Sequence, residues 1–182
     1  MKFWLKIFHK TKTMKYLLLK EWNDDSVIVP SHKNEQFQSH GNKLKVIIPT
    51  TLTNNQLGLY EIEMEANTRG PKLHYHKEMD ETFIVREGIL TVLTATGEVT
   101  AETGSVIHIP RFSVHGYNNN SDGIVKMTMI FNPGFSREDF FRKMYRMLED
   151  TLNDLLAFQK LYLENDSYSL DENNIIPLLN EK

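Results

Sequence analysis

This chain carries its strongest pattern in residues 74–88, HYHKEMDETFIVREG, and in residues 104–119, GSVIHIPRFSVHGYNN. His74 and His76 are separated by one residue, and Glu81 follows after four more, whereas His115 comes from the second stretch. Three imidazoles and one carboxylate are a donor set that suits a divalent transition metal. We therefore expect these two stretches to hold the functional site.

Strand geometry explains how residues so close in sequence share one ion. Residues i and i+2 of a strand point to the same face, so His74 and His76 project together. Glu81 follows a short turn and can reach back to the same point, and tertiary folding must bring His115 to it. Four such ligands leave one or two positions open on a five- or six-coordinate metal, as catalytic sites require.

Composition limits the class of protein and the kind of metal. The 182 residues suit one domain, and a net charge of -3 gives no electrostatic reason to expect a nucleic-acid partner. Because the chain has no cysteine, thiolate ligands are excluded. Imidazole and carboxylate favour one divalent transition metal, such as Fe, Mn, Co, Ni, Cu or Zn, over Ca or Mg, without choosing among them.

The first residues do not have the pattern of a targeting segment. Lysines at positions 2, 6, 10 and 12 interrupt or follow the apolar residues there, so we expect no secretory signal, no membrane span and a cytoplasmic location. A terminal tail, a helix packed on a neighbour and a contact with an anionic membrane surface all remain open for this segment.

Hydrophobic periodicity predicts many short strands followed by helix. Turn signals at 8–12-residue spacing indicate an antiparallel sandwich or barrel. Beyond Pro133, apolar residues recur at helical spacing to about Glu164, with a possible break, and the polar chain from Asn165 onward is expected to be loose. Strands are predicted at residues 44–48, 57–65, 74–76, 81–86, 89–95, 99–100, 105–109, 115–118 and 124–131.

The two stretches resemble the paired motifs of the cupin superfamily. The first motif, His-x-His-x4-Glu-x6-Gly, is matched at every fixed position and ends at Gly88, although its leading glycine is displaced to Gly70. The second, Gly-x5-Pro-x-Gly-x2-His-x3-Asn, is matched from Gly104 to Asn119, except that Phe112 replaces its second glycine. Gly88 and Gly104 stand where tight turns need a positive φ.

The resemblance implies both a fold and a ligand set. The expected class is all-β, an antiparallel jelly-roll (cupin) barrel with a C-terminal α-helical extension. The implied divisions are an N-terminal extension at 1–39, the barrel at 40–135 and a helical segment and tail at 136–182. The implied metal ligands are His74, His76, Glu81 and His115.

The resemblance is nearest to single-domain cupins described as quercetin-dioxygenase-like. It implies a metal-dependent small-molecule oxidoreductase of dioxygenase type that acts on an enediol or hydroxy-carbonyl, with Glu81 as catalytic proton acceptor. A non-catalytic binding or sensing cupin and a metal-dependent isomerase remain alternatives, because fold does not fix function. Small cupins also imply a homodimer, for which an open sheet edge and an amphipathic helix offer surfaces.

Six further residues are candidates for the pocket wall. Lys72 lies two residues before His74, so it is expected on the same face as the histidines. It is a candidate for binding an anionic substrate, and the alternative is that it is an ordinary surface lysine. Tyr117 lies two residues after His115, so it is expected on the same face and is a candidate for lining the cavity; packing in the core is the alternative. Phe112 is expected to place a ring near the mouth of the site. The remaining candidates, expected among the apolar residues that also form the core, are Phe83, Met127 and Met129.

Overall fold

The structure is a computed structural model that describes residues 26–150 and 154–171. Within these ranges, short strands occupy most of the chain, two 3-10 turns lie at Ser31–Lys33 and Thr50–Thr53, and two helices follow the last long strand. The helices are α1 (Arg137–Asp150) and α2 (Leu155–Glu164). The strands are β1 (Gln36–Ser39), β2 (Asn42–Ile48), β3 (Gly58–Met64), β4 (Thr68–Arg69), β5 (His74–Tyr75), β6 (Asp80–Glu87), β7 (Ile89–Thr94), β8 (Gly97–Glu102), β9 (Val106–Ile109), β10 (His115–Asn119), β11 (Val125–Asn132) and β12 (Tyr168–Ser169).

The strands form two antiparallel sheets, as expected for a jelly roll. One has the order β1-β2-β3-β11-β6-β9, and the other has the order β12-β5-β10-β7-β8, with β4 beside β10. Neighbours in the sheets are often distant in sequence: β11 lies between β3 and β6. The all-β class with a C-terminal helical extension is confirmed.

Alternation along the strands forms the core between the sheets. In β3, which lies within the predicted strand 57–65, Tyr60, Ile62 and Met64 are buried, and in β11 alternate residues from Val125 to Phe131 are buried in the same way. These side chains belong to one hydrophobic cluster with residues of the second sheet, such as Leu90 and Val92. The functional site lies beside this cluster.

Two glycine turns have the predicted conformation. Gly88 between β6 and β7 has φ +80°, and Gly104 before β9 has φ +92°. A side chain at Gly88 would also place its Cβ 2.4 Å from the carbonyl oxygen of Ile124. The glycine at position 88 is therefore required both by backbone conformation and by close packing.

The C-terminal prediction was wrong at one point. The helical segment does extend to Glu164 with a break, but the chain after Asn165 is ordered into the barrel: β12 pairs with β5, with Tyr168 opposite Tyr75. The sheet also starts with β1 at Gln36, four residues before the boundary predicted for the barrel. The predictions for residues 1–20 lie outside the described residues.

No helix in the described ranges is long and apolar enough to cross a membrane. One helical surface invoked for a dimer is used within the chain, because α1 packs on β1 and on α2. The homodimer stays a prediction.

Candidate metal centre

Four buried side chains converge between the two sheets. His74 ends up beside His115 because β5 and β10 pair in register at these two residues, and their ring centroids are 4.3 Å apart. Glu81 comes from β6 in the opposite sheet, and His76 follows β5 at the start of the connecting loop. One ligand atom from each of the four residues lies within 4.8 Å of the others. The four residues that the sequence grouped into one candidate site therefore lie together in the fold.

Backbone carbonyls hold all three imidazoles in one orientation. Nδ1 of His74 donates to the carbonyl of Lys72 at 2.7 Å, and Nδ1 of His115 donates to that of Ser113 at 2.9 Å. Nδ1 of His76 donates to the carbonyl of Asp166. A carbonyl oxygen only accepts, so each Nδ1 carries a proton and each Nε2 of a neutral ring presents a lone pair. This is the arrangement that orients histidine ligands around metals.

The contacts of Glu81 show that the site needs a positive charge. Oε2 of Glu81 lies 2.7 Å from Nε2 of His115 and 3.4 Å from Nε2 of His76. With Nδ1 already protonated, two acceptors face each other at 2.7 Å unless a proton or a cation lies between them. Nε2 of His76 is buried without a hydrogen-bond partner. The four residues therefore fit a divalent transition metal, which would use these lone pairs and supply the missing charge.

Burial and mutual charge favour the neutral forms of His74 and His76. Burial lowers the pKa of His74 well below its ordinary value, and the nearby His115 and His76 lower it further. Burial also lowers the pKa of His76. For Glu81, burial alone would raise the pKa of the carboxyl, but the contacts with His115 and His76 outweigh it and leave the pKa below its usual value. Neutral imidazoles and an ionised carboxylate are the metal-binding forms.

A cavity opens from the metal-binding residues toward the start of α1. It offers a volume of about 40 Å³ to water molecules. About 10–15 Å³ on this measure holds one water, so the cavity suits a few waters or a small ligand. Its walls are mostly aromatic or aliphatic and include Leu44, Ile62, Tyr117, Met129, Phe131, Phe140, Phe141, Met144, Tyr145 and Tyr162.

The residues predicted to line the pocket lie in several places. Tyr117 and Met129 line this cavity. Phe83 and Met127 are buried in the core, with the ring of Phe83 stacked edge-on against Tyr117 at 5.3 Å. Lys72 lines a separate surface depression beside Arg69 and Asn118. The predicted residues lie in different places because alternation along a strand predicts the face of the sheet on which a side chain lies, but not whether that side chain reaches the cavity.

Phe112 and Asn119 have structural roles near the site. Phe112 is 65% exposed, has φ +65° and donates its backbone N–H to the carbonyl of His76 at 2.6 Å. The motif glycine that it replaces would reach this left-handed conformation without steric cost. Asn119 closes the turn after β10, because its side chain bonds the carbonyls of Glu65 and Gly123, each at 2.7 Å.

The sequence analysis missed two residues of the site, Arg137 and Asp166. Arg137 starts α1, is buried and lines the cavity with His74 and Glu81. Asp166 accepts the Nδ1 proton of His76 through its carbonyl, and its carboxylate accepts the backbone N–H groups of Lys77 and Glu78 at 2.9 Å. Asp166 lies ninety residues after His76, so no local pattern links them.

Comparisons with known proteins agree with this architecture. Residues 60–131 match the cupin domain family. A quercetin 2,3-dioxygenase of Bacillus subtilis (strain 168) is 32% identical over 92 residues, which are 50% of this chain but only 27% of that enzyme. The chain therefore spans about a quarter of the length of this curated relative.

Three solved structures share the fold at low sequence identity. The polyketide cyclase RemF from Streptomyces resistomycificus is 18% identical, with a TM-score of 0.52 over 60% of this chain and 80% of that one. KdgF from Halomonas sp. is 16% identical, with a TM-score of 0.52 over 60% and 94%. A sugar phosphate isomerase of the cupin superfamily from Silicibacter pomeroyi is 18% identical, with a TM-score of 0.51 over 58% and 75%. Residues 60–131 are thus similar to the cupin domain family, and the described residues share the fold of these three structures.

Proposed function

We propose that this protein is a metal-dependent oxidoreductase of dioxygenase type that acts on a small enediol or hydroxy-carbonyl compound. One observation carries the proposal: three Nε2 atoms fixed by backbone carbonyls and one carboxylate converge beside a largely apolar cavity, which His74 and Glu81 help to line. The partial similarity to a quercetin 2,3-dioxygenase supports this reaction class.

The reaction that we propose balances without a further co-reactant. An enediol and one molecule of dioxygen give two carboxylic acids: the carbon–carbon bond breaks, both oxygen atoms are incorporated, and the two carbons are oxidised while dioxygen is reduced. The metal would supply Lewis acidity and a template that holds both reactants. The chain's own residues must then bind the substrate, manage one proton and exclude water.

Glu81 is the proposed proton acceptor for a substrate hydroxyl. Its carboxylate is ionised and buried at the end of the cavity, and the described residues offer no other carboxylate among those that line it. A carboxylate within reach of a bound hydroxyl can take its proton as the substrate becomes an enolate. The proton would then be held on the Glu81 oxygen.

The apolar walls serve the same chemistry. Phe131, Met129 and Tyr117 close the cavity around the metal-binding residues, and each is almost fully buried. A site that excludes bulk water strengthens the interactions between charged groups inside it and protects reactive intermediates. This supports a catalytic cavity, but a non-catalytic binding cupin or a metal-dependent isomerase would profit from the same walls.

Metal content and oxygen consumption test the proposal together. We expect near-stoichiometric Fe, Mn, Ni or Cu by plasma mass spectrometry in protein purified without a His tag, and oxygen uptake on addition of an enediol or flavonol. His76→Ala and Glu81→Gln should lose at least tenfold in metal affinity, because the first removes one donor of the buried set and the second removes its negative charge.

His108→Ala is the matched control. His108 is an exposed histidine on β9 whose ring forms a hydrogen bond with the hydroxyl of Thr82, outside the four-residue cluster, so its loss should leave the metal content unchanged. A protein that takes up no metal after reconstitution would contradict the metal site. Bound metal without oxygen uptake on any enediol or flavonol would contradict the dioxygenase and favour the isomerase or the binding protein.

A further inference from the structure

Arg137 is the most unusual buried group outside the four metal-binding residues. Only 4% of its surface is exposed, it lies at the first position of α1, and it lines the cavity that also contains His74 and Glu81. Taking a guanidinium out of water is expensive unless an anion or a full set of acceptors compensates it. The protein supplies only part of that compensation.

The hydrogen bonds of Arg137 are incomplete. Nη1 donates to the carbonyl of Asn165 at 2.7 Å and Nη2 to the hydroxyl of Ser167 at 3.0 Å, whereas the buried Nε has no partner. No carboxylate in the described ranges forms an ion pair with Arg137. A guanidinium has five N–H donors, so this side chain retains donors for a ligand.

The rest of its surroundings is aromatic. The guanidinium carbon lies 4.0 Å from the ring centroid of Phe140 and 4.8 Å from that of Phe131. These rings attract a cation through their faces, but they do not accept its remaining N–H groups. The rings also keep water away, which strengthens the attraction of Arg137 for any anion that enters the cavity.

Charge balance gives the number of negative charges that a ligand should bring. A divalent metal on neutral histidines and one carboxylate, together with Arg137, would leave two positive charges uncompensated in a buried cavity. One ionised oxygen bound at the metal site and one carboxylate at Arg137 would neutralise them. A phosphate dianion would need more donors than one partly used guanidinium provides.

From this arrangement we infer that the substrate is a small hydroxy-carbonyl compound that also carries a carboxylate, and that Arg137 binds this carboxylate. The inference rests on the proposed function for the chelating hydroxy-carbonyl, and it adds the anionic group and the residue that selects it. The narrow cavity restricts such a substrate to a few carbon atoms unless its walls move.

Two small acids form a matched pair of probes. Tartronate and glycerate share a hydroxyl next to a carboxylate, and tartronate has a second carboxylate where glycerate has a hydroxymethyl group. Isothermal titration of Zn-loaded protein, which needs no turnover, should show tartronate binding about 10–100-fold more tightly, since hydrogen bonds between charged groups have this strength. Equal affinity for the two acids would overturn the inference.

Substitution of Arg137 tests whether this residue causes the preference for tartronate over glycerate. In Arg137→Met, whose flexible thioether packs well among aromatic rings, the ratio of the two affinities should fall to within about twofold of unity. Arg137→Lys keeps the charge but not the planar donor set, so the ratio should fall at least threefold and stay above unity. Arg142→Gln is the control for net charge, because Arg142 lies on the same helix, is partly exposed and pairs with Glu35 and Asp139.

The outcomes separate this inference from the proposed function. An unchanged ratio in folded Arg137→Met with intact zinc content would assign Arg137 to holding residues 165–167 and overturn the inference. If Arg137→Met does not fold, an unchanged ratio in Arg137→Lys has the same meaning. If the protein binds no metal, the proposed function fails, and the same titrations on the metal-free protein still test Arg137.

Discussion

Phe112 shows how a single position can depart from a motif without loss of the site. Its backbone is left-handed, at φ +65°, and its N–H bonds the carbonyl of His76, so the loop keeps the path that a glycine would give it. For a residue with a Cβ this conformation costs about 1–2 kcal/mol. The exposed ring gains little from burial in return.

Replacing Phe112 by glycine should therefore stabilise the protein. We expect Phe112→Gly to raise the free energy of unfolding by about 0.5–1 kcal/mol, because relief of the backbone strain exceeds the extra entropy that glycine has in the unfolded chain. Urea denaturation measures the change. Phe112→Ala removes the same ring but keeps the Cβ, so a gain in stability as large for alanine as for glycine would refute this explanation.

At the scale of strands and helices, local patterns were enough for most of the barrel. The alternation of apolar and polar residues predicted β3 and β11, and glycines predicted the turns before β7 and β9. The four metal-binding residues were predictable because a two-residue spacing and a motif marked them. The short strand β12 was not, because its pairing with β5 joins residues more than ninety positions apart and its sequence has no alternation. Arg137 was missed for a similar reason, since a helix pattern does not show what its first residue faces.

The segment after α2 acts on the metal site through Asp166. Its carboxylate accepts the backbone N–H groups of Lys77, Glu78 and Met79, which belong to the loop between the candidate ligands His76 and Glu81. Asp166 also has φ +53°, so glycine is the substitution that removes the side chain without adding backbone strain.

Asp166→Gly should weaken metal binding by about 10–100-fold, the usual effect of losing a group that orients metal ligands. Competition with a chelating dye measures the affinity. Asp166→Asn retains an acceptor oxygen and tolerates the left-handed backbone, so its loss should be smaller. If glycine and asparagine both bind metal as tightly as the original residue, the segment does not support the site.

The start of α1 is anchored separately by Glu138. One carboxylate oxygen accepts the N–H and hydroxyl of Thr50 at 3.1 and 2.8 Å, and the other accepts the hydroxyl of Tyr60 at 2.9 Å. All three residues are buried, so each of these bonds is shielded from water. The network fixes the helix end from which Arg137 enters the cavity.

Removing one hydroxyl from this network should be costly. Tyr60→Phe should lower the free energy of unfolding by about 1.5–3 kcal/mol, because it leaves a buried carboxylate oxygen without its partner. Tyr162→Phe is the matched control: its hydroxyl is also buried but meets only the thioether of Met144 at 3.8 Å, so we expect about 0.5 kcal/mol or less. Similar losses in the two variants, measured by urea denaturation, would show that Glu138 is not an anchor.

For the whole molecule, the site couples stability to pH when no metal is bound. His74 and His76 have pKa values below their ordinary 6.5, and Glu81 has a pKa below its ordinary 4.5. Between the lowered value of each group and its ordinary value, the unfolded chain binds a proton that the folded chain does not. Stability must therefore fall as pH falls through these windows, first below about 6.5 for the histidines and then below about 4.5 for Glu81.

The metal-free protein, prepared with a chelator, should lose up to about 1.4 kcal/mol of unfolding free energy per pH unit for each of the two histidines between pH 6.5 and 5. Urea denaturation at a series of pH values measures this slope. His76→Gln should remove about half of it because it deletes one of the two groups, whereas His108→Gln, which deletes an exposed histidine, should leave it unchanged. A metal-free protein equally stable at pH 7 and pH 5 would mean that acid does not act through the buried histidines, and the neutral, metal-ready state inferred for them would be wrong.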